Sequence, residues 1–228
     1  SIVTNKIDAN LVEIVVNYKL NNVGSNNKIT YTINSKGVLK VKNDLVYKGE
    51  LKDAQIPRFG MNFTIPKEYS DVVWYGRGPH ENYIDRKSSA FVGLYGSSVE
   101  DLGFDYSRPQ ENGYRTDVRW FKVSNKDKIG FEIRGEPLIS FSAHYNTIED
   151  FDDGLIPQKA GEKLAVRQRL VKMQRKPVDV PKRDFISLNI DLKQMGVGGD
   201  NSWGARTLPK YTINPGNYSY SFTVIPFN

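Results

Sequence analysis

The chain has 228 residues, 39% of them hydrophobic and 25% charged, with a mean hydropathy of −0.52. That suits one sizeable core or two small ones, and no apolar run approaches the ~20 residues of a membrane-spanning helix. There is no cysteine, which excludes disulfides, thiol nucleophiles and cysteine-ligated metals, and with only His80 and His144 a multi-histidine metal site is out of reach. The net charge of +6 resides wholly in residues 158–176, where seven Lys or Arg face a single Glu. This stretch carries no aromatic residue to stack on a base, so it reads as a solvated basic insertion and not as a nucleic-acid surface.

The start, SIVTNKIDANLVEIVV, lacks the basic, apolar and small-residue zones of a signal peptide. It reads as a chain entered part-way, so the compartment stays open between cytoplasm and periplasm. Short alternating or β-branched runs then follow one another: 11–20, 28–34, 37–43, 72–76, 117–123, 129–135, 138–145, 185–192 and 217–227. SKG, KND and NPG are expected to be turns. Ile129, Phe131 and Ile133 alternate with Glu132 and Arg134, which places the apolar set inward. Nothing outside 158–176 has convincing helical periodicity. The expected fold is all-β and antiparallel, with two sheets packed face to face in one domain over 1–228. PVDVPKRDF (177–185) reads as the return of the basic insertion into the strand at 185.

Three polar stretches compete as sites. WYGRGPHENYIDRKSSA (74–90) offers His80 and Glu81 as an acid and base, or else a structural corner in which Asn82 and Asp85 satisfy turn backbone groups and Arg86 pairs with a carboxylate. The structural corner is preferred. PQENGYRTDVRW (109–120) carries Glu111, Arg115, Asp117 and Arg119, a possible charge network of structural kind. EDFDDG (149–154) has the acidity of a calcium loop, but counting from Asp150 the twelfth position is Gly161 and not the required glutamate, so a solvated acidic turn is expected. His144, at the expected end of a strand, reads as a hydrogen-bonded structural residue. No pair of carboxylates is singled out for catalysis and no metal-ligand spacing occurs.

GVGGDNSWGAR (196–206) is different in kind. Gly196, Gly198 and Gly199 allow backbone bends closed to other residues, and Trp203 stands among them outside any apolar pattern. A flat indole face suits the C–H face of a sugar ring, where aromatic contacts are worth about 0.5–1.5 kcal/mol beyond area burial.

Taken in order, PRFGMNFTIP (57–66), VVWYGRGPHENYIDRKSSAFVGLY (72–95), PQENGYRTDVRW (109–120), FSAHYNTIEDF (141–151) and LNIDLKQMGVGGDNSWGAR (188–206) resemble the C-terminal domain of bacterial β-galactosidases of glycoside hydrolase family 2. The resemblance runs from about residue 57 to the C-terminus. It implies an antiparallel β super-sandwich shaped like the galactose mutarotases. It also implies a partner, a catalytic barrel in the same parent protein that supplies the magnesium site and the two glutamates of a retaining mechanism. No catalytic residue, metal or cofactor is then expected in this chain, and no nucleic acid or membrane as partner. Trp203, matching the tryptophan of the GGDxSW loop, is expected to bind the β-galactoside substrate near the sugar that departs from galactose. The family's usual upstream stretch Arg-Ala-Pro-Thr-Asn-Asp-Asn has no counterpart, so the chain is expected to be an excised fragment of the domain. Two alternatives stay open: a free-standing carbohydrate-binding module, and an aldose epimerase using His80 or His144 with a facing carboxylate.

Overall fold

The computed structural model describes residues 1–21, 24–49, 55–151, 176–201 and 205–228. Within them lie eleven strands: β1 (Ile2–Asp8), β2 (Leu11–Leu20), β3 (Ser25–Asn34), β4 (Leu39–Val46), β5 (Arg58–Pro66), β6 (Asp71–Gly78), β7 (Phe91–Ser98), β8 (Arg115–Ser124), β9 (Gly130–His144), β10 (Phe185–Gln194) and β11 (Tyr218–Phe227). Two single-turn helices, α1 (Val99–Leu102) and α2 (Ile148–Phe151), interrupt them. Every strand pairing is antiparallel, in the order β1-β2-β3-β4-β11-β9-β8-β6-β7, with β10 joining β9 to β5. The all-β antiparallel expectation holds.

The separation into two sheets does not survive at the level of hydrogen bonds, and β9 is the reason. It is 15 residues long, and its first half, from Gly130 to Glu136, pairs with β11. Its second half, from Ser140 to His144, pairs with β10. The sequence reading divided this strand at Glu136-Pro137, but the chain runs through and exchanges neighbours there. Layers still pack face to face. Phe59 of β5 meets Tyr218 and Tyr220 of β11 at ring distances of 5.7 and 5.6 Å, and Trp74 of β6 meets Phe141 of β9 at 6.0 Å, in each case between strands that share no ladder. Phe121 and Phe141 stack at 4.3 Å at the centre, both fully buried. Removing either ring would cost about 3–5 kcal/mol.

Three local expectations are corrected. KND (42–44) is not a turn but the middle of β4. Asn43 is buried, Asp44 takes a hydrogen bond from the Ser219 hydroxyl at 2.6 Å, and Lys42 pairs with Asp44 at 3.1 Å. Polar residues with turn propensity are tolerated here because β4 is sandwiched between β3 and β11. The inward set at 129–134 is also shifted: Ile129 is 45% exposed while Glu132 is buried to 9%. Glu132 is held there by Arg134 and by Lys122 of the neighbouring strand. Finally, α1 and α2 were not foreseen, because one turn is too short for periodicity. α1 is started by Ser98, whose hydroxyl accepts from the Asp101 amide at 3.2 Å, and it buries Val99 and Leu102.

Candidate functional site

The corner made by 74–90 and 109–117 is assembled from the inside. Asn82 is fully buried; its side-chain oxygen accepts from the Thr116 amide (3.0 Å) and hydroxyl (2.6 Å), and its amide group donates to the His80 carbonyl (3.0 Å). Arg115, 3% exposed, donates to the carbonyls of Leu102 (2.7 Å), Gly113 (2.9 Å) and Pro79 (3.0 Å), with its guanidinium 5.3 Å from the Trp74 ring. Burial without a carboxylate partner lowers its pKa to about 10, still charged at neutrality. Glu81 receives the Gly113 amide at 2.6 Å and the hydroxyls of Tyr83 and Tyr106. These bonds engage it in holding the corner.

The four charges of 109–120 do not form one network. Glu111 pairs with Arg58 at 2.7 Å; Asp117 takes Arg77 at 2.5 Å and Lys87 at 2.9 Å; Arg119 donates to the Asp117 carbonyl at 2.6 Å and lies over Tyr75. Asp117 sits at φ 54, where β8 bulges against β9. Burial alone would raise its pKa, but the hydrogen bonds from Arg77 and Lys87 draw it below the usual carboxylate range. Behind the corner, the Tyr114 hydroxyl donates at 3.0 Å to Asp191, which is 0% exposed and 3.4 Å from Arg58. Burial outweighs Arg58 and pushes Asp191 up to about 7; burial raises Glu111 as well.

The histidines stand apart in character. His80 is exposed, with Nε2 3.1 Å from the Ser89 hydroxyl. His144 closes β9, as expected of a structural residue: Nε2 donates to the Asn112 carbonyl at 2.9 Å, the ring lies edge-on to Phe151, and burial lowers its pKa. Their hydrogen bonds go to a hydroxyl and a backbone carbonyl. EDFDDG is more than a solvated turn at its described end. Asp150 is 4% exposed, accepts the Thr147 amide at 2.8 Å and the Nη2 and Nε groups of Arg183 (2.5 and 2.9 Å), and its pKa falls through that pairing. The Arg183 amide donates to the Tyr145 carbonyl at 2.6 Å, so the chain flanking 152–175 is fastened on both sides. Apart from Lys176, which precedes a 3-10 turn at Pro177–Asp179, the basic insertion 158–176 lies outside the described residues.

The glycine-rich stretch is reached from the corner. Asp85 accepts the amides of Val197 (3.2 Å, Oδ1) and Gly198 (2.9 Å, Oδ2), and Arg86 donates to the Gly198 carbonyl. Asp85 thus serves a distant segment and not its own turn, and Arg86 meets a backbone carbonyl where a carboxylate was expected. A Cβ on Gly196 would fall 2.5 Å from the Asp85 carboxyl carbon, so only glycine lets the backbone approach that carboxylate. Gly198 and Gly199 have φ of 61° and 74°, and the Gly199 amide donates to the Ala205 carbonyl at 3.0 Å, tying both ends of the stretch that contains Trp203. Trp203 itself lies outside the described residues. Nothing in the sequence pattern announces the link from 85–86 to 197–198, which joins residues more than a hundred positions apart. Among the described residues, no three His, Asp or Glu side chains are grouped to hold a metal ion.

These features define an antiparallel β-sandwich domain that presents a glycine-rich loop braced by charged side chains from a rigid corner. The chain belongs to the beta galactosidase small chain family, whose model matches residues 2–224 and so extends the likeness through β1–β4. It is 35% identical to a β-galactosidase of Priestia megaterium over 98% of this chain and 20% of that protein. To a β-galactosidase of Pseudoalteromonas haloplanktis it is 30% identical, over 93% of this chain and 18% of that protein. The chain therefore spans about a fifth of the length of the curated relatives it matches. Among solved structures, a putative aldose 1-epimerase of Escherichia coli K12 is similar at a TM-score of 0.45 and 8% identity, covering 99% of this chain and 68% of that one. A galactose mutarotase related enzyme of Lactobacillus acidophilus gives 0.42 and 8%, over 100% of this chain and 71% of that one.

Proposed function

We propose that this chain is the non-catalytic sandwich domain of a retaining β-galactosidase that hydrolyses terminal β-D-galactosides such as lactose. In this reading the domain buttresses the catalytic barrel and completes the substrate pocket through Trp203, whose indole lies against the sugar that leaves galactose. The catalytic glutamates and the magnesium site belong to the barrel, and the chain alone turns over no galactoside. The observation that carries the reading is the brace of Asp85 and Arg86 on the backbone that leads to Trp203. A preorganised platform aids catalysis by holding the substrate where the chemistry needs it.

The test is kinetic. In the full-length protein, Trp203→Ala is expected to lower kcat/KM for lactose by roughly tenfold or more, about 1.4 kcal/mol of transition-state stabilisation. Unchanged kinetics with lowered thermal stability would overturn the pocket role and leave Trp203 as a loop anchor.

A further inference from the structure

We propose that the cavity between β3, β4 and the start of β5 is a binding site for a single neutral sugar ring. This site involves neither Trp203 nor the glycine-rich stretch. Its volume of about 370 Å³ lies at the small end of the ~300–1,000 Å³ typical of ligand pockets. Strand register explains how the cavity arises. Alternation sends Ile29 and Tyr31 of β3, and Leu39 and Val41 of β4, to the inner face of the sheet, where they join the core. The pairs Ile29 with Asn43 and Asn27 with Leu45 carry the same face onward. Two asparagines therefore stand where further apolar residues would close the core. Leu45, Phe59 and Pro215 supply apolar wall beside them.

Both asparagines line the cavity, and among the described residues each has a buried side-chain oxygen without a hydrogen-bond partner. Asn43 is 2% exposed. Its orientation is set by Tyr220, whose hydroxyl gives its proton to the Ile190 carbonyl at 2.7 Å and so receives from the Asn43 amide group. The Asn43 oxygen is left as an acceptor. Burying an acceptor without a donor costs desolvation that the fold alone does not recover. Two such acceptors beside one cavity call for a ligand with more than one donor. The charge balance narrows the choice. Among the described lining residues only Arg58 is charged, and Glu111 at 2.7 Å and Asp191 at 3.4 Å already face it. An ammonium group would find no carboxylate in the lining, and a carboxylate would bring acceptors to acceptors. A sugar ring meets both demands: its hydroxyls donate to Asn27 and Asn43, and its C–H face lies against Phe59 and Leu45.

The experiment is hydrogen exchange of the complete protein with and without millimolar D-galactose, read on peptides spanning 25–29 and 42–46. Saturating sugar is expected to slow exchange there by about threefold or more in the wild type. Asn43→Leu replaces the acceptor by an apolar group of similar size and should abolish that protection, while exchange at 139–144 in β9 stays as in the wild type. Leu45→Trp, which fills the cavity with a side chain, should do the same and carries the test if Asn43→Leu fails to fold. D-Galacturonate has the same ring but carries a charge, and should need roughly tenfold more to give equal protection. Absence of protection in the wild type, or protection that persists in both folded variants, overturns the site. Equal protection by galacturonate overturns the assignment to a neutral ligand.

Discussion

The corner at 77–90 and 111–117 and the glycine-rich stretch at 196–201 share glycine, Asn and Asp. They are held in opposite ways. In the corner, the polar side chains point inward and bond backbone that has left the sheet, as Asn82 and Arg115 do at 0% and 3% exposure. The glycine-rich stretch meets the corner through its backbone at Val197 and Gly198, and the side chains of Asp85 and Arg86 reach out to it. A buried polar group left unmatched costs its full desolvation, whereas one near solvent can turn to water. The corner should therefore behave as part of the core, and the glycine-rich stretch as an attachment fastened to it.

The largest effect expected from this contrast is at Arg115. Replacing it by Met removes donors from three carbonyls of the corner and should destabilise it by about 3 kcal/mol. In the complete protein this is measurable as amide exchange at Asn82, Gly113 and Thr116 that is faster by about two orders of magnitude, with the 197–198 amides opening along with them. If only the corner responded, the hold of Asp85 and Arg86 on Val197 and Gly198 would not depend on it.

A somewhat smaller effect concerns Asp191, which supports the corner through Tyr114. Its pKa is raised to about 7 in the folded protein, against about 4 for an unfolded aspartate. Its favourable contribution is thus complete below about pH 4 and is lost as pH rises through about 7. Asp191→Asn has no such loss, so its stability relative to wild type should climb from pH 5 to 7 by up to about 2 kcal/mol and then level off. Chemical denaturation across that range checks it; a flat difference would mean that Arg58 keeps Asp191 ionised throughout. The smallest effect belongs to the loop: Asp85→Asn should cost about 1 kcal/mol or less, confined in exchange measurements to the 197–198 amides.

The same contrast explains what could be read beforehand. Strand alternation is local, and β2, β3, β6, β8, β10 and β11 follow the patterned runs closely. β1, β5 and β7 correspond to none of those runs, and the other exceptions are places where a neighbour decides. Asn43 and Asp44 read as a turn until β11 supplies Ser219, and Glu132 reads as solvent-facing until Lys122 and Arg134 flank it. The corner was legible as structural, yet its partners were not: Glu111 bonds Arg58 instead of the nearby Arg115 or Arg119, and Asp85 bonds Val197 and Gly198. Residue type tells which groups need partners; only the fold says which partners arrive.

The fastening of Asp150 to Arg183, with the Asn146 side chain donating to the Pro181 carbonyl at 2.8 Å, has an evolutionary consequence. It makes a closed collar around the place where the chain leaves after Phe151 and returns at Lys176. These bonds join residues on either side of the enclosed segment, and for a flexible loop each doubling of length costs only about 0.6 kcal/mol of closure entropy. That junction is a natural graft point, where relatives can lengthen, shorten or recharge the enclosed sequence while the sandwich beneath keeps its register.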